Sequence, residues 1–219
     1  WVCSSDPLVC SSDLAGCAIP ICTVCSSDLP LCAIPICSHQ KENAVLALNA
    51  LEELDRLGWT TTMEQRKDGL LHTSWKGRFT VINKKTLFIV DGAHNAGAAD
   101  KMAESVRHYF NGKKLIYIMG VFADKEYKIV LEKTAHFAEK IYTIETPDNP
   151  RALPAEELAK AARVYNSSAE STKSIKDAVE KAFSCAGDDE NSVILAFGSL
   201  SFIGALTDAV EDRKSTRLN

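Results

Sequence analysis

The chain has 219 residues, 46% hydrophobic and 25% charged, with a formal net charge of -4. That size and balance allow one or two domains with a real core, and nothing in the charge points to nucleic acid. Apolar runs such as 87–90 and 193–197 fall far short of the roughly 20 residues a bilayer span requires, so no membrane partner is expected.

The first segment is a cysteine-rich repeat. Seven of the eight cysteines fall in the first 37 residues, Cys185 standing apart. VCSSDLAGCAIPIC is followed by VCSSDLPLCAIPIC with a period of 15 residues, and VCSSDP precedes both. Cys22-Thr-Val-Cys25 has a spacing that zinc accepts, but no second pair of that spacing and no histidine cluster completes a site. The genetic code accounts for the repeat better. GATCGGAAGAGCACAC encodes Asp-Arg-Lys-Ser-Thr, which stands near the other end in DRKSTRLN. Its reverse complement encodes Val-Cys-Ser-Ser-Asp followed by the first base of a Leu or Pro codon. Both termini therefore read as sequencing-adapter read-through. Residues 1–38 are expected to be a non-native, disordered repeat and 212–219 a non-native tail, and both are set aside.

From 40 to 57, Ala44, Leu48, Leu51 and Leu54 recur at helical spacing, with Gly58 as the stop. WTTTMEQRKDGLLHTS, 59–74, sustains no period and is expected to be a linker. Beyond Trp75 the pattern predicts strands at 79–82, 86–90, 115–119, 140–144 and 193–197. Helices are predicted at 96–110, 124–138, 154–163, 174–186 and 200–210. This alternation implies an α/β domain over 75–211 with a doubly wound, mostly parallel sheet and helices on both faces. Asn83-Lys84-Lys85 is short enough to make the first two strands a hairpin.

In such sheets ligands bind beyond the carboxyl ends of the strands. Three predicted exits carry small or polar residues: Asp91-Gly92-Ala93-His94-Asn95, Gly120 through Asp124 to Lys125, and Gly198-Ser199. A carboxylate, an imidazole, helix N-terminal amides and a hydroxyl would surround one crevice, suited to a ligand bearing phosphates and hydroxyls. Asp124, Asn95 and Ser199 have a second reading as helix N-caps. Asp91 directly follows Phe-Ile-Val and needs a partner or a function, and a functional carboxylate is preferred. Arg78 either reaches an anion with its planar fork of donors or is an ordinary exposed arginine.

HQKENAVLALNALEEL, WKGR, FIVDGAHN, GVFADKE, the PRAL of TPDNPRALPAEEL and FGSLSFIG, taken in this order, resemble the folylpolyglutamate synthase and dihydrofolate synthase family of the Mur ligase superfamily. The match runs from about His39 to Val210, with Lys76, Ala96 and Ser201 departing from the usual pattern. The resemblance implies a Rossmann-like Mur ligase C-terminal domain, preceded at 39–58 by the last helix of a truncated ATPase domain. It implies a monomeric, cytoplasmic ligase that uses ATP, Mg2+ and K+ to add glutamate to folate or dihydropteroate through an acyl phosphate. Asn43, Arg78 and Asp91 would contact ATP, Arg78 near its terminal phosphate and with a catalytic role. His94 and Ser199 would lie near the nucleotide or the incoming glutamate, His94 also as a catalytic group. No G-x-x-x-x-G-K-[ST] phosphate loop occurs in the sequence, so the chain alone is expected to be inactive and to hold no metal ligands.

Two rivals remain at this stage. A cell-wall Mur ligase shares the fold and the chemistry, although HQKEN and PRAL favour the folate branch. A receiver-like signalling module would use Asp91 as phosphoacceptor, but it needs an acidic pair after its first strand, where this chain has Asn-Lys-Lys.

Overall fold

The computed structural model describes residues 38–73 and 77–216, so the cysteine repeat, Trp75, Lys76 and the last three residues lie outside the described range. The chain divides into two units, Trp1–Ser74 and Trp75–Asn219.

In the first unit α1 spans Ser38–Arg56, ending just before the left-handed Gly58 (φ 95°). The stretch expected to be a linker contains a second helix, α2, Met63–His72. It forms because Thr62 and Gln65 make a capping box: Gln65 N donates to Thr62 Oγ1 at 3.1 Å and Thr62 N donates to Gln65 Oε1 at 2.8 Å. Arg66, 8% exposed, pairs with Asp55 of α1 and donates to Thr61 Oγ1 at 2.8 Å. The helix is anchored by caps and a half-buried ion pair, with no apolar stripe to announce it.

In the second unit the chain runs β1 (Thr80–Asn83), β2 (Leu87–Val90), α3 (Ala96–Tyr109), β3 (Lys114–Met119) and α4 (Tyr127–Thr134). It continues with β4 (Lys140–Thr143), α5 (Ala155–Ala162), β5 (Ala169–Ser171), α6 (Ile175–Ala186), β6 (Ser192–Phe197) and α7 (Ile203–Thr216). Short 3-10 turns follow α4 and precede α7, at Ala135–Phe137 and Leu200–Phe202. The sheet order is β1-β2-β6-β3-β4-β5. β1 is antiparallel to β2, and every other pairing is parallel. This is the doubly wound sheet expected from the alternation of elements. β5 escaped prediction because Ala-Glu-Ser is three residues long and has no β-branched run.

Alternation along the strands sends Phe88, Val90, Ile116, Ile118, Ile194 and Ala196 to one face. There they pack with Val179, Ala182 and Phe183 of α6 and Leu206 and Val210 of α7. α3, α4 and α5 pack in succession elsewhere on the sheet. α7 runs on through Thr216, into the segment set aside as a tail: Arg213 lies 4.4 Å over the Phe183 ring and 3.2 Å from Glu180. Among the described residues no helix is long and apolar enough to cross a membrane.

Tyr117, in the centre of β3, is fully buried and its ring meets Phe197 edge-on at 5.1 Å. Burial pushes its phenol well above the ordinary range, and its hydroxyl has no hydrogen-bond partner among the described residues. Removing an unsatisfied buried hydroxyl relieves a desolvation cost, so Tyr117→Phe is expected to hold or raise stability by about 1 kcal/mol in urea unfolding. A loss of that size would show that the hydroxyl has a partner.

Candidate functional site

β2 ends at Val90, and the ladder continues for one more bond, Asp91 N donating to Ala196 O at 2.9 Å. The Asp91 side chain then turns inward. It is 5% exposed, Oδ1 accepting from Ala93 N and Oδ2 from Phe79 N, both at 2.8 Å. The second bond ties the turn that precedes β1 to the exit of β2. Gly77 (φ 81°) and Phe79 (φ 45°) of that turn are both left-handed, and Arg78 between them is exposed. The Asp91 carboxylate and the backbone next to Arg78 thus lie at the same end of the sheet. The carboxylate, however, does not stand open in the crevice: it grips backbone. A receiver-type phosphoacceptor needs an open carboxylate, and this one is closed.

His94 Nδ1 lies 2.8 Å from Gly92 O. A carbonyl only accepts, so Nδ1 carries the proton and Nε2 of the neutral ring is left as an acceptor. Asn95 caps α3, its Oδ1 accepting from Ala98 N at 2.9 Å. At the β6 exit Ser199 is 5% exposed and caps the 3-10 turn, its Oγ accepting from Ser201 N at 3.3 Å and lying 2.7 Å from Ser201 Oγ. Gly198 (φ 119°) is required there, since a Cβ on it would lie 2.5 Å from Gly120 O. Leu200 folds back over the other exits: a Cβ on Gly92 would lie 2.5 Å from its Cδ2, and one on Gly77 2.8 Å.

At the β3 exit Asp124 is not a helix cap. α4 starts later, after Glu126, which makes no side-chain cap bond. Asp124 instead receives two bonds from Arg151, Nε to Oδ1 at 3.2 Å and the terminal NH2 to Oδ2 at 2.5 Å. The guanidinium also lies 4.8 Å over the Phe122 ring.

These exits enclose a cleft of about 340 Å³ lined by His94, Phe122, Lys125, Arg151 and the segment Gly198, Ser199, Leu200 and Ser201. His94 and Ser199 come together as expected. Arg78 and Asp91 are not among the lining residues, and Asn43 belongs to the first unit, exposed on α1. Lys125 and Arg151 were not singled out from the sequence, although they sit within GVFADKE and PRAL; isolated basic residues in loops look alike whether or not they face a cleft. Two cations, an imidazole acceptor and small hydroxyls suit a ligand with carboxylates and an amine. Among the described residues no three His, Cys, Asp or Glu side chains gather as a metal-binding group.

The bonds from Arg151 hold the Asp124 carboxyl below its ordinary range. A depressed folded value means that the pair's contribution is present above the unfolded pKa and is lost as pH falls through the folded one. In an NMR titration Asp124 is expected to ionise below an ordinary aspartate, and Arg151→Ala to return it to the ordinary range. An unchanged midpoint in that variant would show that the pair does not form in solution.

Comparison with known proteins shows the family of the chain. The family described as Mur ligase, glutamate ligase domain, matches residues 77–200. The dihydrofolate synthase/folylpolyglutamate synthase of Bacillus subtilis is 28% identical over 167 residues, 76% of this chain and 38% of that protein. The folylpolyglutamate synthase of Mycobacterium tuberculosis, solved with ADP and AMPPCP, superposes with a TM-score of 0.69 at 26% identity, covering 77% of this chain and 39% of that one. A folylpolyglutamate synthase of Thermotoga maritima superposes with a TM-score of 0.63 at 27% identity, covering 78% and 38%. The chain therefore spans about two fifths of the length of these relatives. With its matched region holding every lining residue of the cleft but Ser201, the chain belongs to the Mur ligase family through the glutamate ligase domain.

Proposed function

We propose that this chain supplies the glutamate-accepting part of an ATP-dependent ligase that joins L-glutamate to folate, to dihydropteroate or to both, through an acyl phosphate. The observation that carries the reading is the cleft where Lys125, Arg151, His94 and Ser199 converge at the carboxyl ends of β2, β3 and β6. Lys125 and Arg151 hold the carboxylates of the incoming amino acid. Arg151 is already oriented by Asp124 and Phe122, so little side-chain freedom is lost when it binds. The Nε2 acceptor of His94 takes the proton that the amine must shed before it attacks an acyl carbon.

The exposed Arg78, on its fixed turn, offers a guanidinium for the phosphate oxygens of ATP, where negative charge moves during acyl-phosphate formation. ATP supplies the activating phosphoryl group, and Mg2+ and K+ belong with it in this reading. The relatives named above are folate enzymes, which favours folate over a cell-wall precursor as the acceptor.

Calorimetric titration of the full chain with L-glutamate tests the reading. Saturable binding is expected, weakened about tenfold, or ~1.4 kcal/mol, by Lys125→Ala and by Arg151→Ala. No binding, or binding indifferent to both substitutions, would contradict it. Incorporation of labelled glutamate into folate by this chain with MgATP is expected at background, because the sequence has no phosphate loop.

A further inference from the structure

We propose that Ser201 is a further ligand-contact residue of the cleft: together with Ser199 it forms a two-hydroxyl donor whose spare O–H reaches a carboxylate of the incoming amino acid. This rests on the reading of the cleft as an amino-acid site given above.

Three observations carry it. First, the two side chains form a unit. Their oxygens lie 2.7 Å apart, an ordinary length for a bond between hydroxyls, and Ser199 Oγ also accepts from Ser201 N at 3.3 Å. Second, the pair has a proton to spare. A serine hydroxyl has one proton to give and two lone pairs to receive with, so two hydroxyls joined by one bond use one proton between them. Among the described residues no other group accepts from either oxygen. Whichever serine gives the shared proton, one O–H of the pair is left for a ligand. An ionised carboxylate is an acceptor only, so it takes that proton. Hydrogen bonds in a row polarise one another, and a bond to an ionised acceptor is stronger than a neutral one. Third, Ser201 is the open member of the pair and has a fixed support. Ser199 is 5% exposed and Ser201 is exposed, and both line the cleft together with Lys125 and Arg151. The next residue, Phe202, is fully buried in the core formed with α6 and α7, which anchors the backbone that carries Ser201. Little freedom is left to lose when a ligand binds. Two cations attract any anion, whereas a hydroxyl at a fixed place favours a carboxylate oxygen that comes within hydrogen-bonding reach of it.

Calorimetry with L-glutamate and NMR, both on the full chain, test this. Ser201→Ala is expected to weaken L-glutamate binding about tenfold, and Ser201→Thr, which keeps the hydroxyl, to recover most of that loss. A direct contact also shifts the Ser201 Cβ signal of the wild type as L-glutamate is added. Because Ser201 is exposed, Ser201→Ala is expected to keep the wild-type Tm; if it does not fold, the wild-type Cβ shift decides. Binding by Ser201→Ala within about twofold of the wild type overturns the proposal. So does a Cβ signal that stays in place at saturation, or an equal loss in Ser201→Thr and Ser201→Ala. If the wild type binds no L-glutamate, the amino-acid reading of the cleft fails. The donor pair is then judged with acetate as the probe: a saturable shift of the Ser201 Cβ signal upholds it, and no shift overturns it.

Discussion

Insertion of β6 between β2 and β3 sets the ligand-facing edge. In the parallel registers Val90 stands opposite Ala196, and Met119 opposite Phe197, so three strands end at nearly the same level. The chain then leaves each strand through a glycine, Gly92, Gly120 or Gly198. Gly198 approaches Gly120 so closely that only a hydrogen fits between them. That closeness brings His94, Lys125 and Ser199, which come from three separate connections, to the walls of one cleft. A one-residue slip in β6 would turn its side chains to the other face and separate them.

The edge handles negative charge in two different ways. In the cleft, cations are presented to the ligand: Lys125 lines it, and Arg151 is steadied by Asp124 and the Phe122 ring. Because that pair is exposed, its own contribution to stability is small, and its effect is mainly geometric. At the turn before β1 the anion is the protein's own, a buried carboxylate that holds backbone amides. The first arrangement restrains an arginine before any ligand arrives, and the second restrains main chain. Leu200 lies against the glycines of the turn and of the β2 exit while also lining the cleft, so the two regions share a side chain.

Most of the sheet was legible in the sequence because its strands are unbroken apolar runs between turn signals, as at 87–90 and 193–197. Elements stabilised by other means were not. α2 depends on a capping box and an ion pair, and β5 on its neighbour β4. Asp124 reads in the sequence as a crevice residue or a helix cap, whereas its partner is 27 residues away. Asp91 was recognised as a carboxylate that burial would penalise without a partner, which is correct. Two of its partners are backbone amides, one of them 12 residues upstream, and amides leave no mark in a side-chain pattern. Arg78 and His94 stood out because their motifs are dense in chemistry. Lys125 and Arg151 become visible only when the topology brings their loops together.

A crystal structure of this chain grown with L-glutamate tests the central claim most directly, namely that the exits of β2, β6 and β3 form one amino-acid site. The account expects the ligand's carboxylates within hydrogen-bonding distance of Lys125 and Arg151, with its amine toward His94. Glutamate bound on the α6 and α7 face, or bound with those three side chains untouched, would contradict it.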